Sequence, residues 1–315
     1  MFGTLRAWNL SCHIACMSLA DGTIVERLPL EIPVDFFSAG STDFLPEFSY
    51  LNQVEIHRIV YSSDGLAVKG FVAKPRRPGP HPCVIYNRGG NRDFAAITPA
   101  VAAGMLCRIA SWGYVVAASQ YRGAMGSEGA DEFGGDDLND VMNLIPLLES
   151  ERGADASRIG MFGGSRGGMM TYLALTKTDR IRAAVVRCGV SDLTGWVNER
   201  RDMETVYSEL IPGFDPADDS TLITRSAVYW PERLCKSTPI LLLQGTADWR
   251  VSPLSALRFA EALLAAKHPF RLVMLEGSDH ALTEHGDERD LQTCQWFDRY
   301  VRERAPLPRL EPHGD

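Results

Sequence analysis

The sequence predicts an α/β architecture, a mostly parallel central sheet with helices on both faces. Three observations carry it. Short apolar runs of β type recur at "CVIYN" (83–87), "YVVAAS" (114–119), "RIGMF" (158–162), "AAVVRC" (183–188), "PILLLQG" (239–245) and "FRLVMLEG" (270–277). Segments with helical apolar spacing separate them. The runs do not alternate apolar with polar residues, so both faces of each strand are covered.

Each element has its own signal. "VEIHRIVYSSDGLAVKGFVAKP" (54–75) reads as two strands joined at Asp64-Gly65, a hairpin dipeptide. Residues 99–113 are helical and closed by Gly113. Residues 136–149 align Leu138, Val141, Met142, Ile145 and Leu148 on one face, but Pro146 should kink or end that helix. "RGGMMTYLAL" (166–175) is a helix, and Ser252-Pro253 opens another as N-cap and first residue. The last helix (289–303) lines up Leu291, Cys294, Phe297 and Val301. Residues 21–50 read as irregular and wrap over the main body. Residues 191–236 interrupt the alternation between two strands. Ligands of open α/β sheets bind beyond the carboxyl ends of the strands, so this insertion is expected to be a lid.

Composition narrows the function. The 315 residues are 45% apolar and 23% charged, which is ordinary globular usage. A net charge of −8 without a basic block argues against a nucleic-acid partner. No apolar run reaches the roughly 18 residues of a membrane span. Arg6 followed by "AWNLSCHIACMSLA" is signal-like, but Asn9, Ser11 and His13 interrupt it. A cytoplasmic protein with a loose N-terminal extension is expected; Met17 is an alternative start, and the weak signal leaves secretion open. Cys12, Cys16, Cys83, Cys107, Cys188, Cys235 and Cys294 are odd in number and lack C-x-x-C spacing, so free thiols are expected.

The residue pattern of "GMFGGSRGG" (160–168) carries chemistry. A strand must turn sharply into a helix and thrust out one side chain. Gly163-Gly164-Ser165-Arg166-Gly167 fits the G-x-S-x-G nucleophile elbow in its required strand–turn–helix setting. A plain glycine turn with an incidental serine is the bland alternative. A serine needs a base, and in the α/β-hydrolase order an acid and then a histidine follow it. His280 in "EGSDHAL" leaves the last strand at its carboxyl end; His285 is the fallback. His268 lies at the opposite edge, and His313 in a Pro-rich tail. Asp248 in "LLLQGTADWRVS" leaves the preceding strand at the same end and would orient the imidazole, although it could also serve the turn before Ser252. Asp279 is too close to His280 to face its ring. The Arg166 N–H at the helix start and the loop "YNRGG", with Gly89 and Gly90, are the candidate oxyanion donors. No phosphate-loop motif is present, and His280 with His285 lacks a third ligand, so no metal and no cofactor are expected.

Together "YNRGG", "QYRGAMGSEG", "DEFGGDDLNDV", "ADASRIGMFGGSRGGMMT", "LLLQGTADWRVS" and "EGSDHAL" resemble the catalytic domain of the prolyl oligopeptidase family, an α/β-hydrolase fold. The resemblance covers roughly residues 52–305. It implies a serine hydrolase acting through an acyl-enzyme, with Ser165, Asp248 and His280 as the triad. Two features depart from the family. Only about 50 residues precede the hairpin, too few for the β-propeller of many members, so a stand-alone form is expected. Several members place a tyrosine before the loop glycines to help bind the oxyanion. Here Arg88 stands there, with Tyr86 two residues earlier; Arg88 either donates hydrogen bonds itself or points to solvent.

The expected organisation is an N-terminal extension (1–51) packing on the main body, a catalytic α/β-hydrolase domain (52–305) with its lid (191–236), and a tail (306–315). The leading reading is cleavage of peptide or acyl-peptide bonds in small substrates. A carboxylesterase with the same triad is the close alternative, and a non-catalytic binding protein the distant one. No nucleic-acid or membrane partner is expected, and a homo-oligomer is allowed. In the lid, Glu199 or Arg200 is expected to read a charged substrate end, while Arg200 and Glu204 could instead pair on a helix surface as i,i+4 neighbours.

Overall fold

Asp64 and Gly65 both take positive φ, 53° and 76°, as a two-residue turn matching strand twist requires. They join β2 (Val54–Ser63) to β3 (Leu66–Pro75), with Ser63 opposite Leu66. The computed structural model describes residues 19–32 and 44–314. The signal-like stretch up to Ser18, with Cys12, Cys16 and Met17, lies outside the described residues.

The remaining strands are β1 (Ile24–Pro29), β4 (His81–Asn87), β5 (Val115–Ser119), β6 (Ala154–Gly164), β7 (Ile181–Arg187), β8 (Ile240–Gly245) and β9 (Phe270–Leu275). They form one nine-stranded sheet in the order β1-β2-β3-β5-β4-β6-β7-β8-β9. The pairs from β1 to β5 are antiparallel, and those from β5 through β9 are parallel. The parallel strands therefore end along one edge, at Asn87, Ser119, Gly164, Arg187, Gly245 and Leu275.

Strand β1 corrects the irregular reading of residues 21–50. It pairs with β2 at the sheet margin and is half-buried to exposed, so it needs no apolar run to be stable there. Pro46–Gln53 adds a 3-10 turn that buries Tyr50 and Leu51.

Burial within the parallel strands alternates between two cores. In β8, Ile240 and Leu242 join one apolar cluster, and Leu241 and Leu243 the other. In β4, Cys83 and Ile85 oppose Val84 and Tyr86 in the same way. Full burial of such side chains contributes about 1.5–3 kcal/mol each. One face is covered by α3 (Asp137–Met142), α4 (Leu144–Ser150), α5 (Arg166–Leu175) and α9 (Pro253–Ala265). The other is covered by α1 (Pro99–Val101) and α2 (Arg108–Ser111), joined by a π turn at Ala102–Cys107, together with α10 (Gly286–Phe297). The interruption at Asn143 between α3 and α4 is the effect of Pro146, which cannot donate to the carbonyl four residues back. Ser252 sits at the N-cap of α9 without a side-chain capping bond.

Residues 191–236 leave the sheet edge as α6 (Leu193–Glu199), α7 (Asp202–Leu210), α8 (Ser220–Ile223) and two 3-10 turns. Among the described residues no helix is long and apolar enough to cross a membrane. Cys83, Cys107, Cys188, Cys235 and Cys294 are free thiols.

Helix α5 lies against the end of β4 because position 167 is glycine. A Cβ there would stand 2.0 Å from the Asn87 carbonyl oxygen. Gly167→Ala is expected to destabilise the fold by about 1–3 kcal/mol, read as a lower denaturant midpoint. His268, 2% exposed, hydrogen-bonds the Thr238 carbonyl. Burial, only partly offset by that bond, lowers its pKa from 6.5 to about 4. The folded state thus holds the ring neutral where the unfolded chain protonates it. Its contribution is whole above pH 6.5 and is lost as pH falls towards about 4. Unfolding free energy should decline more steeply across that window in the wild type than in His268→Gln.

Candidate active site

Strand β6 ends at Gly164 and α5 begins at Arg166, so one residue, Ser165, makes the turn. Its backbone takes φ 55° and ψ −125°, a conformation that costs a non-glycine residue about 1–3 kcal/mol. Neighbouring contacts hold it. The Ser165 N–H donates to the Arg187 carbonyl, and its own carbonyl accepts from Gly168 and Val190. A Cβ at Gly163 would stand 2.1 Å from the Gly167 carbonyl oxygen. Glycine is therefore a steric requirement of the elbow, as expected from the sequence.

Asp248 and His280 come from the ends of β8 and β9 and meet. The His280 Nδ1 lies 2.8 Å from Asp248 Oδ2. The Asp248 carboxylate also accepts the N–H groups of Arg250 and Val251 and the Nε2 of Gln244. Burial pushes this carboxyl up, but the His280 hydrogen bond and charge, with the two backbone donors, outweigh it. They hold Asp248 below the usual range. An ionised Asp248 fixes the proton on His280 Nδ1 and leaves Nε2 as the acceptor. Asp248 thus hydrogen-bonds both the backbone of the turn before Ser252 and the His280 ring.

The alternatives fall elsewhere. His285 approaches Glu276 at 4.0 Å, and Asp279 accepts the N–H groups of Ala281 and Thr283. The Sγ of Cys188 lies with the Asp248 and His280 ligand atoms, all within 4.8 Å of one another. Burial first, then the Asp248 charge, pushes this thiol up to about 12, so it is neutral. No sequence signal marked Gln244 or Cys188, which tertiary folding alone brings to Asp248.

Gly89 faces the serine: a Cβ there would lie 3.1 Å from Ser165 Cβ and 3.7 Å from its Oγ. Arg88 departs from both expectations. It is 1% exposed, and its guanidinium donates to the carbonyls of Gln120, Gly89, Phe94 and Arg92. It neither points to solvent nor stays free for an oxyanion, because a buried guanidinium must satisfy its donors. Tyr86 stacks on Phe162 with ring centroids 5.5 Å apart, inside the core.

A cavity of about 180 Å³ opens beside Ser165. Phe94, Phe133, Trp196, Met203 and Val206 give it an apolar lining; Arg200, Asp202 and Arg250 give it polar groups. Arg200 binds Asp202 at 2.5 Å and lies over the Trp196 and Trp249 rings. Glu199 is exposed and does not line this cavity. The i,i+4 pairing of Arg200 with Glu204 gives way to the Asp202 pair, because α6 ends at Glu199 and α7 begins at Asp202.

The prolyl oligopeptidase family model matches residues 103–304. The uncharacterized peptidase YtmA of Bacillus subtilis is 33% identical over 200 residues, 63% of this chain and 76% of that protein. The mouse acylamino-acid-releasing enzyme is 26% identical over 242 residues, 70% of this chain and 31% of the enzyme. A puromycin-hydrolyzing peptidase of Mycobacterium tuberculosis matches with TM-score 0.65 and 26% identity, over 75% of this chain and 38% of that one. The acylaminoacyl peptidase of Pyrococcus horikoshii shares the fold, with TM-score 0.67 and 21% identity over 82% and 44% of the two chains. The chain spans less than half the length of these last three relatives. With the α/β-hydrolase sheet, the elbow serine and this family match over most of its length, the chain belongs to the prolyl oligopeptidase family of serine peptidases.

Proposed function

We propose that the protein cleaves acylated or short peptides through an acyl-enzyme on Ser165. The observation that carries this reading is the Asp248–His280 hydrogen bond of 2.8 Å, formed at the sheet edge where Ser165 is thrust out by its positive φ. In this mechanism Ser165 Oγ attacks the scissile carbonyl while His280 Nε2 takes its proton. The negative oxygen is met by backbone N–H groups of Arg166 and of the loop at Gly89 and Gly90. His280 then gives the proton to the leaving amine as the C–N bond breaks. Water, activated by the same imidazole, releases the acyl group and restores the serine.

The apolar lining of the cavity suits an uncharged acyl or aromatic side chain, and its small volume suits short substrates. The lid helices α6 and α7 supply Trp196, Asp202, Met203 and Val206 to that wall, so they act as the size filter. Relatives named for releasing acylated amino acids favour an acyl-peptide over a free ester. A carboxylesterase would use the same steps with an alcohol as leaving group, and a matched panel of peptide amides and acyl esters separates the two. Nucleophile, base and orienting group all come from the chain, so activity should survive chelator treatment.

Ser165→Ala and His280→Ala should each abolish turnover, and a fluorophosphonate probe should label Ser165. Asp248→Asn should lower kcat by about 10³–10⁴ by upsetting the histidine tautomer. Wild-type activity in Ser165→Ala would overturn the reading. Of the two charged lid candidates, Arg200 is the one that faces substrate. Arg200→Gln should change kcat/KM several-fold for substrates with a charged end and spare neutral esters, whereas Glu199→Gln should match the wild type on both.

A further inference from the structure

Beneath the candidate oxyanion loop lies a buried charge cluster that the steps above do not use. Arg166, Asp131 and Asp137 are each about 1% exposed or less at the side chain. The Arg166 guanidinium makes a two-pronged pair with Asp131 at 2.7 and 2.8 Å and a third bond to Asp137 at 2.5 Å. It also lies 4.4 Å from the centroid of the Phe133 ring.

Two further bonds run from this cluster to the loop after β4. Arg166 Nη1 donates to the Gly90 carbonyl at 3.0 Å, and Asp131 Oδ2 accepts the Arg92 N–H at 2.8 Å. From inside, Arg88 takes the carbonyls of Gly89, Arg92 and Phe94, and the Tyr121 hydroxyl takes that of Arg88. The loop needs such restraint, since Gly90, Arg92 and Ala95 all have positive φ, of 67°, 45° and 56°. A trans peptide holds its N–H opposite its carbonyl. Each carbonyl pinned by a guanidinium or hydroxyl therefore fixes the direction of the N–H that follows it.

We propose that the Arg166 side chain, directly at the Gly90 carbonyl and through Asp131 at the Arg92 N–H, is a positioning device for the oxyanion loop: it holds the loop against Ser165, while Tyr121 and Arg88 aim the Gly89 and Gly90 N–H groups within it. This rests on the reading of Ser165 as nucleophile and goes beyond it. The residue after the nucleophile then has two separate tasks, its N–H meeting the oxyanion and its guanidinium clamping the opposite wall. Asp131 is the intermediary, because one carboxylate bridges Arg166 to the Arg92 backbone. The buried Arg166 charge is met by the Asp131 and Asp137 carboxyl groups, while Arg88 satisfies its donors on backbone carbonyls, as burial demands.

The test is kinetic, with turnover expressed per site labelled to completion by fluorophosphonate, so that misfolded material drops out. Asp131→Asn and Arg166→Lys should lower kcat about tenfold to a hundredfold, less than the 10²–10³ typical for deleting an oxyanion donor. KM should stay within about threefold, since the substrate ground state makes little use of the hole. Affinity for a peptidyl trifluoromethyl ketone, whose adduct carries the oxyanion, should fall by the same factor as kcat. Arg166→Met should lose more than Arg166→Lys; if it does not fold, Asp131→Asn decides. Wild-type kcat and ketone affinity per labelled site, or a change confined to KM or thermal stability, would overturn the clamp. Activity persisting in Ser165→Ala would instead overturn the reading on which it rests.

Discussion

The contact between Gly167 and the end of β4 is the constraint on which the site depends. Only the missing Cβ lets α5 begin so close to Asn87 and Arg88. That approach puts the N-terminus of α5, with its positive dipole end, beside the loop that follows β4. Ser165 sits between them at a backbone angle that Gly163 makes sterically possible on the other side. A helix shifted outward by one methyl group would widen the gap between Ser165 and the loop at Gly89.

Charge in this molecule is buried where it can be shared. Arg88 satisfies its donors with backbone carbonyls, Arg166 with two carboxylates, and Asp248 with two backbone N–H groups, Gln244 and His280. Each arrangement fixes backbone as well as side chains, and each lies at the carboxyl edge of the parallel strands. Acids and bases there are consequently held by many partners at once, and rigidity at that edge is a by-product of satisfying buried polar groups. Residues 191–236 are held mainly by apolar packing. Trp196, Met203, Tyr207 and Leu222 join one of the two cores, Arg225 donates to the carbonyls of Phe133 and Glu132, and Arg92 pairs with Glu209 at the surface. Exposed pairs of that sort contribute little, so apolar packing is what holds this insertion to the body.

Much of this was legible in the sequence. The strands, the hairpin at Asp64-Gly65, the break caused by Pro146 and the elbow at Ser165 follow from local rules of backbone conformation and apolar spacing. The pairing of Asp248 with His280 was legible too, because each follows a recognisable strand and parallel strands end on the same side. Strand β1 was not, since an edge strand takes its stability from its neighbour and carries no apolar run of its own.

What the sequence determined by itself is therefore the local layout: a serine on a sharp turn, then Asp248 and His280 at the ends of successive strands. Those features are set by residues adjacent in the chain or by strand ends that the α/β pattern aligns. Only the tertiary structure decided which way the long charged side chains point. Arg88 turned inward to the loop carbonyls, Arg166 found Asp131 and Asp137, and Arg200 reached the cavity while Glu199 stayed outside. A guanidinium on a flexible stem can reach many places, and its direction is chosen by whichever partners folding brings near enough to satisfy it.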